Sequence, residues 1–481
     1  MLAHHMTAPQ HLWRIRLLLL LWICLHAFLA RADDADPHRS YQPLRDDENW
    51  AWLRTPPAEL DWWDPIKFIR LHQGRDDLYL SIGGETRQWV EGYQNELWGS
   101  TGFVDNFYWL QRCMLHADLR LTRYIRVFGQ LKSGLEVGRL GGPRPMIDED
   151  KLAWNQLFFD VDLVPAPTLD DDARLLVRIG RQEMSYGSGR LIDVREGPNV
   201  RFGFDGVRVI ARPSPFRLDG FLVRPVITNP GVFDDRTDKT QLFWGFWGTF
   251  DVPWLLVDGY YLGLNRDHGV YEQGMGHELR HTVGGRVLAP LAKSRIVLEL
   301  ESAYQFGTFI DAAISAWTVA GSAVVHISEL PLSPQLTLGT GATSGDRNLA
   351  DPNLNTFSPL FPRGAYFGLL GANGAANNIA GHAALALALP RDVSVSAEYW
   401  MFWRQSLADG IYNVPGYLLR PGNGNRGRYL GSQLEGYLTW QIDRHFSLNG
   451  TVAYFWAGTF FLESPPGYNI TYAAFWATYR F

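Results

Sequence analysis

Along several stretches of this sequence, polar and charged side chains alternate with apolar ones, and several of the charged residues are basic. A guanidinium group stays charged at any ordinary pH and binds a carboxylate through two hydrogen bonds. Basic side chains gathered in a narrow passage select anions. The pattern therefore predicts recognition of an anionic ligand. The basic residues on these alternating stretches are Arg87, Arg112, Arg120, Arg126 and Lys132.

The same residues also allow a purely structural interpretation. Acidic side chains stand on the same parity, with Glu85 two positions before Arg87 and Asp118 two positions before Arg120. Such neighbours form ion pairs that fill and brace the interior of a fold without touching a ligand. The sequence leaves both interpretations open for each arginine.

Signals for catalysis are weak in this chain. The sequence has no H-E-x-x-H, C-x-x-C or G-x-S-x-G motif. Ser188 stands between Gly187 and Gly189, which suits a flexible loop better than a strained nucleophile turn. The Asp clusters at 148–150 and 170–172 are interpreted as solvated turns rather than calcium sites. We therefore predict no catalytic residue, no metal and no cofactor.

The elements that hold the basic residues are alternating strands. One face of each strand is apolar and the other carries charges, as in 78–87, 109–121, 125–132 and 298–306. At the end of the chain, Ala473, Phe475 and Phe481 share an apolar face. We predict an all-β, transmembrane antiparallel β-barrel with long extracellular loops. Since spanning strands need about 9–11 residues, the chain could hold roughly 16–18 strands.

The first 32 residues have the pattern of a secretory signal. Arg14 and Arg16 precede an apolar run, and Ala30-Arg31-Ala32 forms a cleavage motif. We predict a signal peptide at 1–32, an N-terminal periplasmic segment at 33–77 packed near the barrel mouth, and the barrel at 78–481. The terminal aromatic strand and this signal together indicate the bacterial outer membrane.

Composition excludes one class of partner. The chain has 44 basic and 50 acidic residues, giving a formal net charge of −6, so a nucleic-acid role has no support. Aromatic residues make up 14% of the chain, which suits the lipid-facing girdles of a barrel. Of two cysteines, one lies in the predicted signal, so we expect no intramolecular disulfide.

Several motifs, taken together and in order, resemble the alginate export family of outer-membrane barrels. Two departures concern the cargo: Glu183 replaces an arginine of the alginate-exporting pattern, and Asn155-Gln156 replaces an Arg–Glu pair. The resemblance rests chiefly on Arg178-Ile179-Gly180-Arg181-Gln182-Glu183, Tyr186-Gly187-Ser188-Gly189-Arg190-Leu191, Arg195-Glu196-Gly197-Pro198-Asn199-Val200-Arg201, Phe204-Asp205-Gly206-Val207-Arg208, Phe361-Pro362-Arg363-Gly364 and Phe402-Trp403-Arg404.

The resemblance implies a monomeric 18-stranded barrel with an arginine-lined constriction that passes an anionic polysaccharide. Arg120, Arg181, Arg363 and Arg404 match by motif, and Arg190 lies in a glycine-rich loop that either enters the lumen or faces solvent. The residues predicted to line the lumen and bind cargo are Arg87, Arg112, Arg120, Arg126, Lys132, Arg181, Arg190, Arg363 and Arg404.

The resulting hypothesis is an anion-selective outer-membrane channel that exports an alginate-like exopolysaccharide. The expected partners are the anionic polysaccharide or an oligouronate, outer-membrane lipid and a periplasmic secretion scaffold. One alternative is a porin for uptake of acidic sugars or small solutes. The other is an outer-membrane lipid or glycan hydrolase.

Overall fold

The computed structural model describes residues 40–55, 57, 59–169, 171–172, 174–291 and 295–481. The predicted signal peptide lies outside the described residues. The chain forms one closed antiparallel barrel of 18 strands, which confirms the predicted fold class and the larger strand number. No helix among the described residues is long and apolar enough to cross a membrane.

The strands differ in length, and each pairs with its neighbours in chain order. Numbered β1 to β18 along the chain, they span Tyr79–Gln94, Asp105–Thr122, Ile125–Val137, Asp150–Val164, Leu175–Gln182, Phe204–Ala211, Phe216–Ile227, Gln241–Val252, Leu255–Tyr271, Gly274–Pro290, Ile296–Phe309, Ala312–His326, Gln335–Thr343, Asn378–Leu389, Val393–Arg404, Tyr429–Gln441, Phe446–Ala457 and Ile470–Arg480.

The short elements lie in the connections and before β1. Helix α1 spans Asp64–Lys67 and helix α2 spans Thr459–Glu463. The 3-10 turns are Arg45–Asp47, Ala51–Arg54 and Glu96–Gly99, and the short strand pieces are Ile69–Arg70, Arg236–Thr237, Ile411–Tyr412 and Leu418–Arg420.

The first and last strands close the barrel. β1 pairs with β18 from Glu85 opposite Arg480 to Gln94 opposite Thr471. Beyond this register, Gly84 and Phe481 exchange two backbone hydrogen bonds of 2.8 and 3.0 Å. The closed barrel has no sheet edge with unpaired backbone groups. The hydrocarbon core of a membrane could not form hydrogen bonds with such groups.

Alternation explains the two faces of the wall. On β11, Leu298 and Leu300 are exposed on the outer face, whereas Glu299 and Glu301 point inward. Leu338 and Phe475 are likewise about half exposed on the outer face. Because side chains alternate with period two, each strand contributes apolar side chains to the outer surface and polar side chains to the interior.

The two ends of the barrel carry different connections. One end has short turns such as 123–124, 253–254 and 442–445, and the start of β1 and the end of β18 lie there. The other end has long connections, including 183–203, 344–377 and 405–428. Outer-membrane barrels have short periplasmic turns and longer extracellular loops, so the short-turn end faces the periplasm.

Two of the long connections fold into the barrel interior. Met184 and Ile192 of loop 183–203 and Leu354 and Phe357 of loop 344–377 are almost completely buried. Met184, Ile192 and Phe357 share one apolar cluster with inward aromatic residues of the strands, including Phe243, and Leu354 belongs to a second cluster. These loops narrow the lumen.

The segment before β1 packs into the periplasmic mouth. Arg45 donates hydrogen bonds to the carbonyl oxygens of Gly84 (3.0 Å) and Phe481 (2.9 Å). Trp63 donates to the hydroxyl of Tyr479 (2.8 Å) and packs on the ring of Phe481. The segment therefore touches both the first strand and the end of the last one.

Candidate functional site

The constriction is made where the two inner loops pair with each other. Three backbone hydrogen bonds join them: Asp193 N to Phe361 O (2.9 Å), Phe361 N to Leu191 O (2.9 Å) and Arg363 N to Gly189 O (2.8 Å). Gly189 has a φ of +74°, a conformation that glycine adopts without strain. This pairing fixes the position of Arg363.

Arg363 differs from the other predicted basic residues because its guanidinium is free. The residue is exposed, and no hydrogen bond or ion pair of its side chain is found within the described parts of the chain. Arg190 lies on the partner loop with its Nε 3.4 Å from a Glu301 oxygen. Both arginines line a cavity of about 340 Å³ between the loops and the barrel wall.

Arg87 and Arg112 face the lumen but bind protein groups. They stand opposite each other on β1 and β2. Arg87 donates to the carbonyl oxygens of Glu196 (2.9 Å) and Pro198 (2.8 Å). Arg112 donates to Glu85 (2.6 Å) and to the Glu196 carboxylate. The two arginines attach loop 183–203 to the wall.

The Glu196 carboxylate is held ionised by its neighbours. Burial alone would raise the pKa of this carboxyl, yet the charges of Arg112 and Arg201 bring it below its usual value. Arg201 also pairs with Glu183 (2.8 Å) and donates to the carbonyl oxygen of Pro43 (3.0 Å). Loop 183–203 is thus linked to the N-terminal segment as well as to the wall.

A second group of basic residues lies toward the periplasmic mouth. Arg126 donates to Asp118 (2.7 Å) and to the carbonyl oxygen of Asp46 (2.8 Å). Arg178 pairs with both Asp46 and Asp160. Although burial opposes ionisation, these arginines hold the pKa of Asp46 below its usual value. They anchor the N-terminal segment inside the barrel.

Arg120 and Lys132 are also inward-facing and paired. Arg120 lies 3.4 Å from Asp118 and lines a cavity of about 440 Å³ at the periplasmic mouth. Lys132 lies between Asp150 (3.1 Å) and Asp235 (3.0 Å), the latter from loop 228–240. Both residues brace the interior at these contacts.

Arg181 does not face the lumen, which corrects the expectation drawn from its motif. It stands opposite the exposed Leu157 of β4 and shares the parity of Ile179, which is 50% exposed on the outer face. Its guanidinium makes two hydrogen bonds to Asp205 (2.8 and 3.0 Å). β5 ends at Gln182, so Glu183 neither continues the strand nor neutralises Arg181.

Arg404 faces inward as predicted, yet it is not accessible to a ligand. It is completely buried and donates to the carbonyl oxygens of Leu407 (3.2 Å), Asp409 (3.1 Å) and Gly427 (2.8 and 3.1 Å). Its contacts organise loop 405–428, which covers it. The prediction of cargo contact at Arg404 is therefore wrong.

Several inward basic residues were missed in the sequence. Each is paired with a carboxylate, and their alternation with apolar neighbours, as in 207–209, was the signal that could have found them. Arg195 on the inner loop was also outside the predicted set; burial lowers the pKa of its guanidinium to about 10. The missed strand residues are Arg178, Arg208, Arg217, Arg266, Arg280, Arg286 and Arg480.

A closed antiparallel barrel with an apolar outer face and a charged lumen narrowed by inner loops defines an outer-membrane channel. The profile of the alginate export family matches residues 78–473, and the chain belongs to this family. No curated protein matches the sequence.

Solved structures of outer-membrane channels share this fold. Acinetobacter baumannii OccAB2 aligns with a TM-score of 0.57 at 11% identity, over 84% of this chain and 98% of that one. Pseudomonas aeruginosa OccK9 (OpdG) aligns with a TM-score of 0.57 at 10% identity, over 83% and 98%. P. aeruginosa OccK11 (OpdR) aligns with a TM-score of 0.53 at 13% identity, over 83% and 95%. At these identities the likeness shows the fold alone.

Proposed function

We propose that this channel passes an anionic polysaccharide and that it exports an alginate-like chain across the outer membrane. The observation that carries the proposal is the free guanidinium of Arg363, held at the junction of the two inner loops beside Arg190. A uronate polymer presents one carboxylate per sugar, which a guanidinium binds with two hydrogen bonds. Membership of the alginate export family supports both the cargo and the direction.

The paired arginines have a different role in this proposal. Arg112 and Arg126 are each bound to carboxylates and are almost completely buried, so they hold the frame in place. Cargo then meets few free cations at a time. Weak contacts at few positions suit transit, because tight binding would stop the chain in the lumen.

The hydrolase alternative finds little support at the loop serine. The hydroxyl of Ser188 donates to the Glu301 carboxylate (2.9 Å) rather than to a histidine base. A serine nucleophile needs an adjacent group that accepts its proton during attack, and histidine is the usual one. The channel is therefore the stronger proposal.

Current through single channels in planar bilayers tests the cargo. Oligouronates should block the ionic current more strongly than neutral oligosaccharides of equal length, and added salt should weaken the block. Arg363→Ala should weaken it about tenfold, because a hydrogen bond to a charged group is worth about 1.5 kcal/mol. The same variant should lower the preference for anions.

The matched control is Arg347→Ala. Arg347 is exposed in the same loop but does not line the cavity that contains Arg363, so the block should stay unchanged. Equal block by acidic and neutral sugars would refute the anionic cargo. Block by single uronates as strong as that by oligomers would favour a porin for small acidic sugars.

A further inference from the structure

One side of the lumen wall is lined by small side chains. These positions belong to β12, β13 and β14, where inward residues alternate with outward ones such as Val319 and Leu338. Small side chains leave room between the wall and the inner loops. The inward positions are Thr318, Ala320, Ser322, Gly339, Gly341 and Ala380.

The inner loops are bound to the wall both beside the small residues and across the barrel from them. Arg280 on β10 and Gln305 on β11 donate to the carbonyl oxygens of Thr356 (3.3 Å) and Ser358 (2.8 Å) of loop 344–377. Arg112 on β2 binds Glu196 of loop 183–203. These contacts attach the loops to the wall. A cavity of about 480 Å³ remains between the loops and β1 and β2, and a further open space lies on the side of the small residues.

That space is the cavity of about 340 Å³. Its loop side is the stretch 363–369, with Arg363 and with Arg190 from the partner loop. Its wall side includes Asn378, which is only 3% exposed. The Oδ1 atom of Asn378 has no hydrogen-bond partner among the described residues. A buried amide oxygen without a partner is costly, and it points to a ligand that donates a hydrogen bond.

We infer that the permeating sugar chain follows a lane along one side of the lumen, between loop stretch 363–369 and the wall of β12–β14. Carboxylates face Arg363 and Arg190, and sugar hydroxyl groups donate to Asn378 on the wall. The identity of the cargo rests on the proposed function, whereas the route does not.

Cysteine substitution tests the route in the full-length channel. In a Cys113→Ser background, Ser322→Cys and Gly339→Cys each place a thiol in the lane. A Cβ at Gly339 meets its nearest neighbours at 3.5 Å, an ordinary contact, and Ser322→Cys preserves side-chain size. A bulky, charged, water-soluble thiol reagent should react at both positions and remove most of the open-channel conductance.

Two controls define the outcome. Ser302→Cys makes the same exchange on the outer face of β11, and Ala153→Cys lies inward on β4, on the far side of the barrel, at 1% exposure. Neither should lose conductance on treatment. Unchanged conductance at Ser322→Cys and Gly339→Cys, or a block at Ala153→Cys, would overturn the lane.

Protection separates the route from the cargo. Oligouronates should slow the reaction at Ser322→Cys, whereas neutral oligosaccharides should not. If the reagent blocks conductance but oligouronates give no protection, the lane stands and the anionic cargo fails. Asn378→Ala should weaken protection by oligouronates while keeping most of the conductance; unchanged protection would remove Asn378 from the lane.

Discussion

Lys67 in the N-terminal segment gives the sharpest test of how that segment is held in the mouth. The residue is 1% exposed, and its Nζ has no hydrogen-bond partner among the described residues. Instead, Nζ lies over the rings of Trp50 (4.9 Å), Tyr41 (5.4 Å) and Phe481 (5.9 Å). An ammonium group in this position loses its hydration and gains only aromatic contacts.

Burial lowers the pKa of Lys67 from 10.5 to about 7, and the charge of Glu48 opposes this change only in part. At about 1.4 kcal/mol per pKa unit, a lysine that stays protonated makes the free energy of docking less favourable by on the order of 5 kcal/mol. Burial therefore dominates over the aromatic contacts. The other charged groups that act on this site are Arg45, Asp61 and Asp64.

The sign of the pH dependence follows from this lowered pKa. Below the pKa of Lys67 in the docked segment, the lysine is protonated in both the docked and the released segment. Docking is then weakened by the full amount. As pH rises from about 7 toward 10.5, the released segment keeps its proton while the docked one loses it, so docking becomes stronger. Lys67→Met should remove this dependence and strengthen docking near neutral pH about a thousandfold.

Hydrogen exchange of the backbone in 41–55 measures docking in the purified channel. After correction for the intrinsic effect of pH, protection of the wild type should rise between about pH 7 and pH 9, while that of Lys67→Met stays high throughout. Lys239→Met, which changes an exposed lysine in loop 228–240, is the control. Protection independent of pH in the wild type, or no gain in Lys67→Met, would refute the reasoning.

Three further predictions concern the wall and the loops. Deletion of Phe481 removes both backbone hydrogen bonds to Gly84, and should reduce the heat-modifiable folded form on electrophoresis. Arg404→Lys cannot reach all the carbonyl oxygens bound by the guanidinium, so proteolysis of loop 405–428 should accelerate while conductance stays near that of the wild type. Arg181→Ala should leave anion selectivity unchanged, because its charge lies on the outer face beside Asp205; a lowered selectivity ratio would contradict that placement.

The wall of the barrel could be predicted because one physical rule governs every strand. Apolar residues face lipid and polar residues face the interior, so parity alone places Arg87 and Arg112 in the lumen. The same rule predicts the face of β5 on which Arg181 lies. On β5, Leu176 and Arg178 are inward, which puts Arg181 on the outer parity. At that position the motif resemblance and the alternation predict opposite faces.

The interior could not be predicted in the same way. Loops 183–203 and 344–377 show no periodicity, and their contacts join residues far apart in the chain, such as Arg112 and Glu196. Parity places Arg404 correctly on the inner face but does not reveal that loop 405–428 covers it. Accessibility inside a barrel depends on these loops, and no local sequence pattern reports where they pack.

This dependence on packing explains why counting arginines says little about selectivity. Arg112 is almost completely buried between Glu85 and Glu196, so its charge is balanced where it stands. Removing either partner would leave a buried, uncompensated charge. The main role of such residues is therefore structural. Arg363 has no ion pair or hydrogen bond of its side chain among the described residues, although its charge acts on Glu398 across the same cavity, and it lies within reach of whatever passes. Under the proposed function, one free guanidinium in the lumen therefore contributes more to anion selectivity than several paired ones.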